Sequence, residues 1–225
     1  MTPSPEPGRP VALSWSGGKD AAMSLRRLEA EGRRVAALLS TFGADGRSSG
    51  HGVRPELLHA QAEALDIPLA TVTFPDPCPN EVYEASIAAA LEQPPLAGLD
   101  EMAFGDLFLE DHRDFRSGQM ARSSWTASFP IWRPDTAALA REVLAAGIRA
   151  VVVAVNLELL DESFLGRRYD EQLLADLPDG ADPCAETGEF HTFVTDNPRF
   201  SHPVPVEVGT VTRRGAVAFA DLVPG

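Results

Sequence analysis

Between residues 11 and 155 the chain alternates short apolar runs with stretches of helical spacing, and this alternation restricts the fold more than any other feature. The run VAL (11–13) ends in a glycine turn. A helical pattern over 21–31 follows, and Gly32 closes it. RVAALLSTF (34–42) is continuously apolar, as expected of a strand buried in a parallel sheet. A polar glycine-rich loop (43–52) leads to a helix over 54–65 with proline near its start, then to the strand PLATVTF. Asn80 is predicted to cap a helix running to about Leu91. Residues 101–104 form a strand that breaks at Gly105, and 111–122 read as a polar helix. A helix over 136–146 stops at Gly147, and AVVVAV (150–155) is the most apolar strand. Strands alternating with helices predict βαβ units, right-handed crossovers and a parallel sheet. After Asp182 the pattern changes to EFHTFVTD, VPVEVGTV and AVAFADL, which predict a β-rich, antiparallel C-terminal portion. The fold class is therefore α/β, a parallel sheet with flanking helices. Residues 11–180 are assigned to it, 181–225 to the β-rich portion and 1–10 (MTPSPEPGRP) to a disordered lead-in.

In such a sheet ligands sit at the carboxyl ends of the strands, and the first βα turn is the usual phosphate cradle. SWSGGKD occupies that turn. Ser16, Gly17 and Gly18 let the backbone approach phosphate oxygens, and the helix behind them offers free N–H groups and the positive end of its dipole. Lys19 is the only lysine, whereas eighteen arginines make up the remainder of the 19 basic residues. A compact ammonium on a flexible stem fits a tight glycine turn that a planar guanidinium does not. The other phosphate loops fail on spacing. A G-x-x-x-x-G-K-[ST] loop needs glycine at Leu13 and a hydroxyl at Asp20, and no G-x-G-x-x-G is present.

Composition narrows the partners. The net charge of −14 repels a phosphate backbone, and no basic stretch interleaved with aromatic residues is present, so a long nucleic acid is not expected. A small anionic ligand held by a few local donors remains compatible. No apolar run approaches the ~20 residues of a membrane span. The two cysteines, Cys78 and Cys184, give no disulfide framework and fit a cytoplasmic protein.

The S-G-G-K-D loop at a first strand–helix junction resembles that of the ATP pyrophosphatases, or PP-loop enzymes. Further blocks are HGVRPELLHAQAEALDIPL (51–69), FGDLFLEDHRDFR (104–116), FPIW (129–132), FLGRRYD (164–170) and DPCAETGEFHTFVTDNPRF (182–200). Together they resemble the diphthine–ammonia ligase family and its bacterial-type relatives. Ala21 stands where the loop pattern has serine, and Ala185 and Thr187 stand where the last block has glycine and asparagine.

This resemblance implies a Rossmann-like fold of the adenine-nucleotide α-hydrolase (HUP) type and an ATP-dependent ligase that forms AMP and pyrophosphate. It would adenylate a small or protein-borne carboxylate and amidate it with ammonia. Ser14, Ser16, Gly17, Gly18, Lys19 and Asp20 would hold ATP, with Asp20 a candidate Mg²⁺ ligand. Asp106, Glu186, Glu189, His191 and Thr192 would form the acceptor side, with His191 a candidate base near neutral pH. Two glutamates and a histidine so close together predict an open cleft. Arg113, Arg116 and Arg167 are candidate anion clamps, equally compatible with surface ion pairs. Cys184 carries only a weak signal. The competing reading is an adenine-nucleotide-binding or sensing protein without ligation, for which Ala21 speaks. A homo-oligomer is compatible with the sequence.

Overall fold

The computed structural model describes residues 9–132 and 135–225, so most of the expected lead-in (1–8) lies outside the described residues. β1 (Val11–Ser14), β2 (Val35–Phe42), β3 (Leu69–Thr73), β4 (Glu101–Ala103) and β5 (Thr126–Ser128) pair in parallel in the order β3-β2-β1-β4-β5. Helices α1 (Lys19–Ala30), α2 (Pro55–Leu65), α3 (Asn80–Leu91), α4 (Glu110–Arg122) and α5 (Thr136–Ala145) follow successive strands. Strand alternation divides the core. Val11 and Leu13 face Leu25, Leu28 and Leu58 of α1 and α2. Ala12, between them, faces the side covered by Ile87, Leu91 and Met120 of α3 and α4. The strand order reverses at β1 and β4, so the loops leaving these two strands share one crevice.

The most apolar strand is not in this sheet. β6 (Arg149–Asn156) pairs antiparallel with β7 (Phe190–Asp196) and β9 (Val217–Pro224) in a second sheet of order β7-β6-β9-β8, where β8 is Val206–Arg214. A continuous apolar run reports burial on both faces, which the centre of either sheet supplies. It does not report the direction of the neighbours. β5 (TAS) is a short edge strand without an apolar run, and the short helix α6 (Glu171–Asp176) falls in polar sequence without clear helical spacing. Asn80 is the first residue of α3 rather than its cap. Pro79 holds that position, and no side chain caps the helix.

The second sheet is fastened to the first turn. Val194 N–H of β7 donates to Gly17 O at 2.8 Å. The buried Gln61 amide of α2 donates to Gly17 O at 3.1 Å and Val194 O at 2.6 Å, and its oxygen accepts the Trp15 indole N–H at 2.9 Å. A buried amide with its partners satisfied fixes one arrangement of three segments.

Candidate active site

The turn after β1 is built for close approach. Gly17 has φ +79°, and a Cβ there would stand 2.5 Å from Leu58 Cδ2 and 2.8 Å from Gln61 Oε1. A Cβ on Gly18 would stand 2.9 Å from His51 Cε1, and one on Gly105, beyond β4, 3.2 Å from the Asp20 carbonyl carbon. These glycines bring three loops within contact distance, which side chains would hold apart. α1 begins without a side-chain cap, so its first N–H groups are open to a ligand apart from that of Lys19, which donates to Thr192 Oγ1 at 3.1 Å.

Lys19 is 2% exposed. Its ammonium donates to Asp20 Oδ2 at 2.9 Å and to the Cys184 carbonyl at 2.6 Å, and lies 5.5 Å from both the Tyr169 and Phe190 ring centres. Two of its three donors are engaged, leaving one for an incoming oxygen. The cage explains the single lysine: four partners at these distances enclose a point charge and leave no room for a guanidinium fork. Burial opposes the charge, but Asp20 and the neighbouring groups outweigh it and the ammonium titrates above its ordinary value.

Ser14, Ser16, Lys19, Asp20, Asp106, Arg116, Glu186, His191 and Thr192 line one cleft of about 420 Å³. Glu186 Oε1 accepts from Leu107 N–H at 2.8 Å, which places its carboxyl beside Asp106. Burial first, and Asp106 after it, push Glu186 up to about 7, against the pull of that hydrogen bond. Arg116 donates to Tyr83 Oη at 3.0 Å and lies over Phe104, so its cation faces the cleft.

Other expected residues fall elsewhere. Glu189 does not line the cleft. It is buried in its own loop, where Oε1 accepts from Asp182 N–H at 2.8 Å and from the Thr187 hydroxyl. Glu189 precedes β7, and these two hydrogen bonds turn its carboxyl into the 182–189 turn rather than toward the cleft. Arg113 stacks 4.9 Å over Trp132, and Arg167 pairs with Asp176 at 2.6 Å; both lie outside the cleft. His191 is pushed down to about 4 by burial and by Lys19, so at neutral pH it is an uncharged acceptor rather than a base tuned to that pH. Cys184 Sγ donates to Thr136 O, and burial pushes the thiol up to about 12, which makes it inert.

Two lining histidines were given no role from the sequence, although both lie in blocks that carry the family resemblance. His51 lies in the glycine-rich loop, and His112 Nδ1 stands 3.7 Å from Asp106 Oδ1. Their spacing follows no motif, and only the fold assembles them. Ligand atoms of Asp106, His112 and Glu186 lie within 4.8 Å of one another. A smaller cavity of about 190 Å³ opens past Ser14, Phe104 and Arg116, walled by Phe74, Tyr83 and Gln119. Gln119 Nε2 is buried without a protein partner. A larger groove of about 830 Å³ between α5 and α6 has, among the described residues, only Arg141, Glu171 and Asp179 as charged lining and gathers no reactive groups there.

A parallel sheet with this order, a glycine loop and lysine at its first turn and a cleft at the reversal point defines an α/β protein of the PP-loop class. Family models for the diphthamide synthase N-terminal domain and C-terminal domain match residues 9–122 and 135–219. The chain belongs to the diphthine–ammonia ligase family. A diphthine–ammonia ligase of Rattus norvegicus is 26% identical over 240 residues, spanning 94% of this chain and 88% of the relative. That of Danio rerio is 25% identical over 229 residues (92% and 90%), and that of Homo sapiens 24% over 239 (94% and 88%). No helix among the described residues is long and apolar enough to cross a membrane.

Proposed function

We propose that the protein is an AMP-forming amide ligase, a reading carried by the convergence of the 16–20 loop with Asp106, Glu186 and His191 in one cleft. Joining ammonia to a carboxylate is uphill in water, so the carboxylate must first be activated. A carboxylate oxygen attacks the α-phosphorus of ATP, pyrophosphate leaves, and an acyl-adenylate forms. Ammonia then attacks the acyl carbon, the C–O bond to AMP breaks, and a proton leaves the nitrogen.

The α1 N-terminus, the glycine turn and the free donor of Lys19 hold the pyrophosphate unit as it departs. The cavity at Gln119 suits the base, since aromatic walls stack on a heterocycle and the unpaired amide donor meets a ring nitrogen. Glu186, titrating near 7, is the group suited to take the proton from nitrogen. The donors also fit Mg²⁺: Asp20 Oδ1 is buried without a partner, and Asp106 offers a further carboxylate oxygen in the same cleft. Bound there, the ion would offset phosphate charge.

Phosphorus NMR of ATP incubated with ammonium and a panel of carboxylates tests the reading. AMP and pyrophosphate are expected. ADP and orthophosphate would contradict it, and ATP binding without any turnover across the panel would favour a nucleotide sensor, the direction in which Ala21 points.

A further inference from the structure

His51 and His191 are unassigned by the steps above, yet both line the cleft with their rings in contact. Their ring centres are 4.5 Å apart with planes tilted by 33°. His51 Nδ1 lies 3.0 Å from the Thr192 carbonyl, which has no proton to give, so the ring must donate its own N–H there. The other nitrogen, Nε2, then carries a lone pair, and it has no hydrogen-bond partner among the described residues. Neither ring nitrogen of His191 has one either. Gly18 leaves the ring of His51 just enough space, and a Cβ on Gly50 would stand 3.7 Å from His191 Nε2. The loop carrying His51 is itself tied down, because Arg47 and Arg54 grip Asp221 of β9 at 2.7 Å each.

We propose that His51 Nε2 and His191 form a preformed acceptor site for the N–H groups of ammonia or ammonium. Two acceptor rings 4.5 Å apart on the lining of one cleft suit a ligand with several N–H donors and no bulk. Lys19 is the cation that acts on both rings, and its charge is met by Asp20; of the other charged groups lining the cleft, Asp106 and Glu186 favour a cationic ligand and the Arg116 cation opposes one. Burial keeps both rings uncharged at neutral pH, which preserves the lone pairs an imidazolium would lack. Such rings bind nitrogen without removing its proton, consistent with Glu186 taking it. That the bound nitrogen is the one joined to the carboxylate rests on the ligase reading.

The site is tested on the intact protein by long-range proton–nitrogen NMR of its five histidines. Ammonium chloride, tetramethylammonium chloride and sodium chloride are titrated at pH 7.5. His51 should appear as the neutral Nδ1–H form, and the His51 Nε2 and His191 signals should shift saturably with ammonium alone. His51→Asn keeps a donor for the Thr192 carbonyl and removes Nε2, so the response of His191 should weaken at least fivefold. A charged or Nε2–H His51 would overturn the proposal. So would equal shifts with all three salts, or an unchanged His191 response in His51→Asn. Pyrophosphate formation without an ammonium-selective shift would remove the site and leave the ligase reading. The shift without pyrophosphate would keep the site and remove its place in catalysis.

Discussion

Two turns meet at the cleft, and they obtain their shapes differently. The first, at Gly17–Gly18, combines a positive φ with neighbours so close that no Cβ fits. The second, in the 182–189 segment, passes through positive φ at Gly188 (+92°) and also at a non-glycine, Ala185, with φ +61°. It is held by carboxylates instead. Asp182 accepts from Cys184 N–H and Glu186 N–H, and Glu189 accepts from Asp182 N–H. One turn is shaped by the absence of side chains and the other by hydrogen bonds to them. The first should tolerate no substitution, while the second should separate residues that shape it from residues that act.

The largest effect is expected at Gly17→Ala, which combines a disfavoured dihedral with overpacking against Leu58. Urea unfolding should show a loss of about 2–4 kcal/mol. A change within about 0.5 kcal/mol would mean that the loop is not packed as described. Glu186→Gln comes next: turnover should fall by ~10² with stability little changed. The wild-type rate should rise through pH 7 as Glu186 ionises, and the variant should lose that limb. Stability responds in the opposite sense. The native carboxyl holds its proton more tightly than the unfolded chain does, so its contribution falls as pH rises from the ordinary carboxyl range through about 7.

Glu189→Leu strips the second turn of an acceptor and leaves Asp182 N–H unpaired, so a loss of about 1–3 kcal/mol is expected. Turnover per folded molecule should stay within about twofold, and a collapse of turnover in a stable variant would return Glu189 to the chemistry. The smallest effect is Ala185→Gly. Relief of the left-handed strain, about 1–2 kcal/mol, is largely offset by the backbone entropy of glycine, about 0.5–1 kcal/mol. A gain of more than about 2 kcal/mol would show a turn more strained than its φ implies.

The same contrast explains what the sequence revealed. Glycines required by backbone geometry follow a linear pattern, so the first turn, its lysine and the helix behind it are legible in SWSGGKD. Glu186 and Glu189 are chemically alike and three positions apart, and only the fold decides which faces the cleft. His51 illustrates the deeper limit. Its partner is a backbone carbonyl of Thr192, 141 positions away, and no residue type advertises a carbonyl. β6 shows it for the fold: its apolar run announces burial but not the second sheet that provides it.

The central claim is a division of labour across the cleft, with ATP held by the first turn and Glu186 acting on the incoming nitrogen. Calorimetric titration with ATP of the wild type, Lys19→Met and Glu186→Gln tests it most directly. Methionine keeps the packing of the buried stem and removes the charge. Lys19→Met should lose about 1.5–3 kcal/mol of binding, tenfold or more in affinity, while Glu186→Gln should bind ATP within about twofold of the wild type. Unchanged affinity in Lys19→Met, or an equal loss in both variants, would contradict the division.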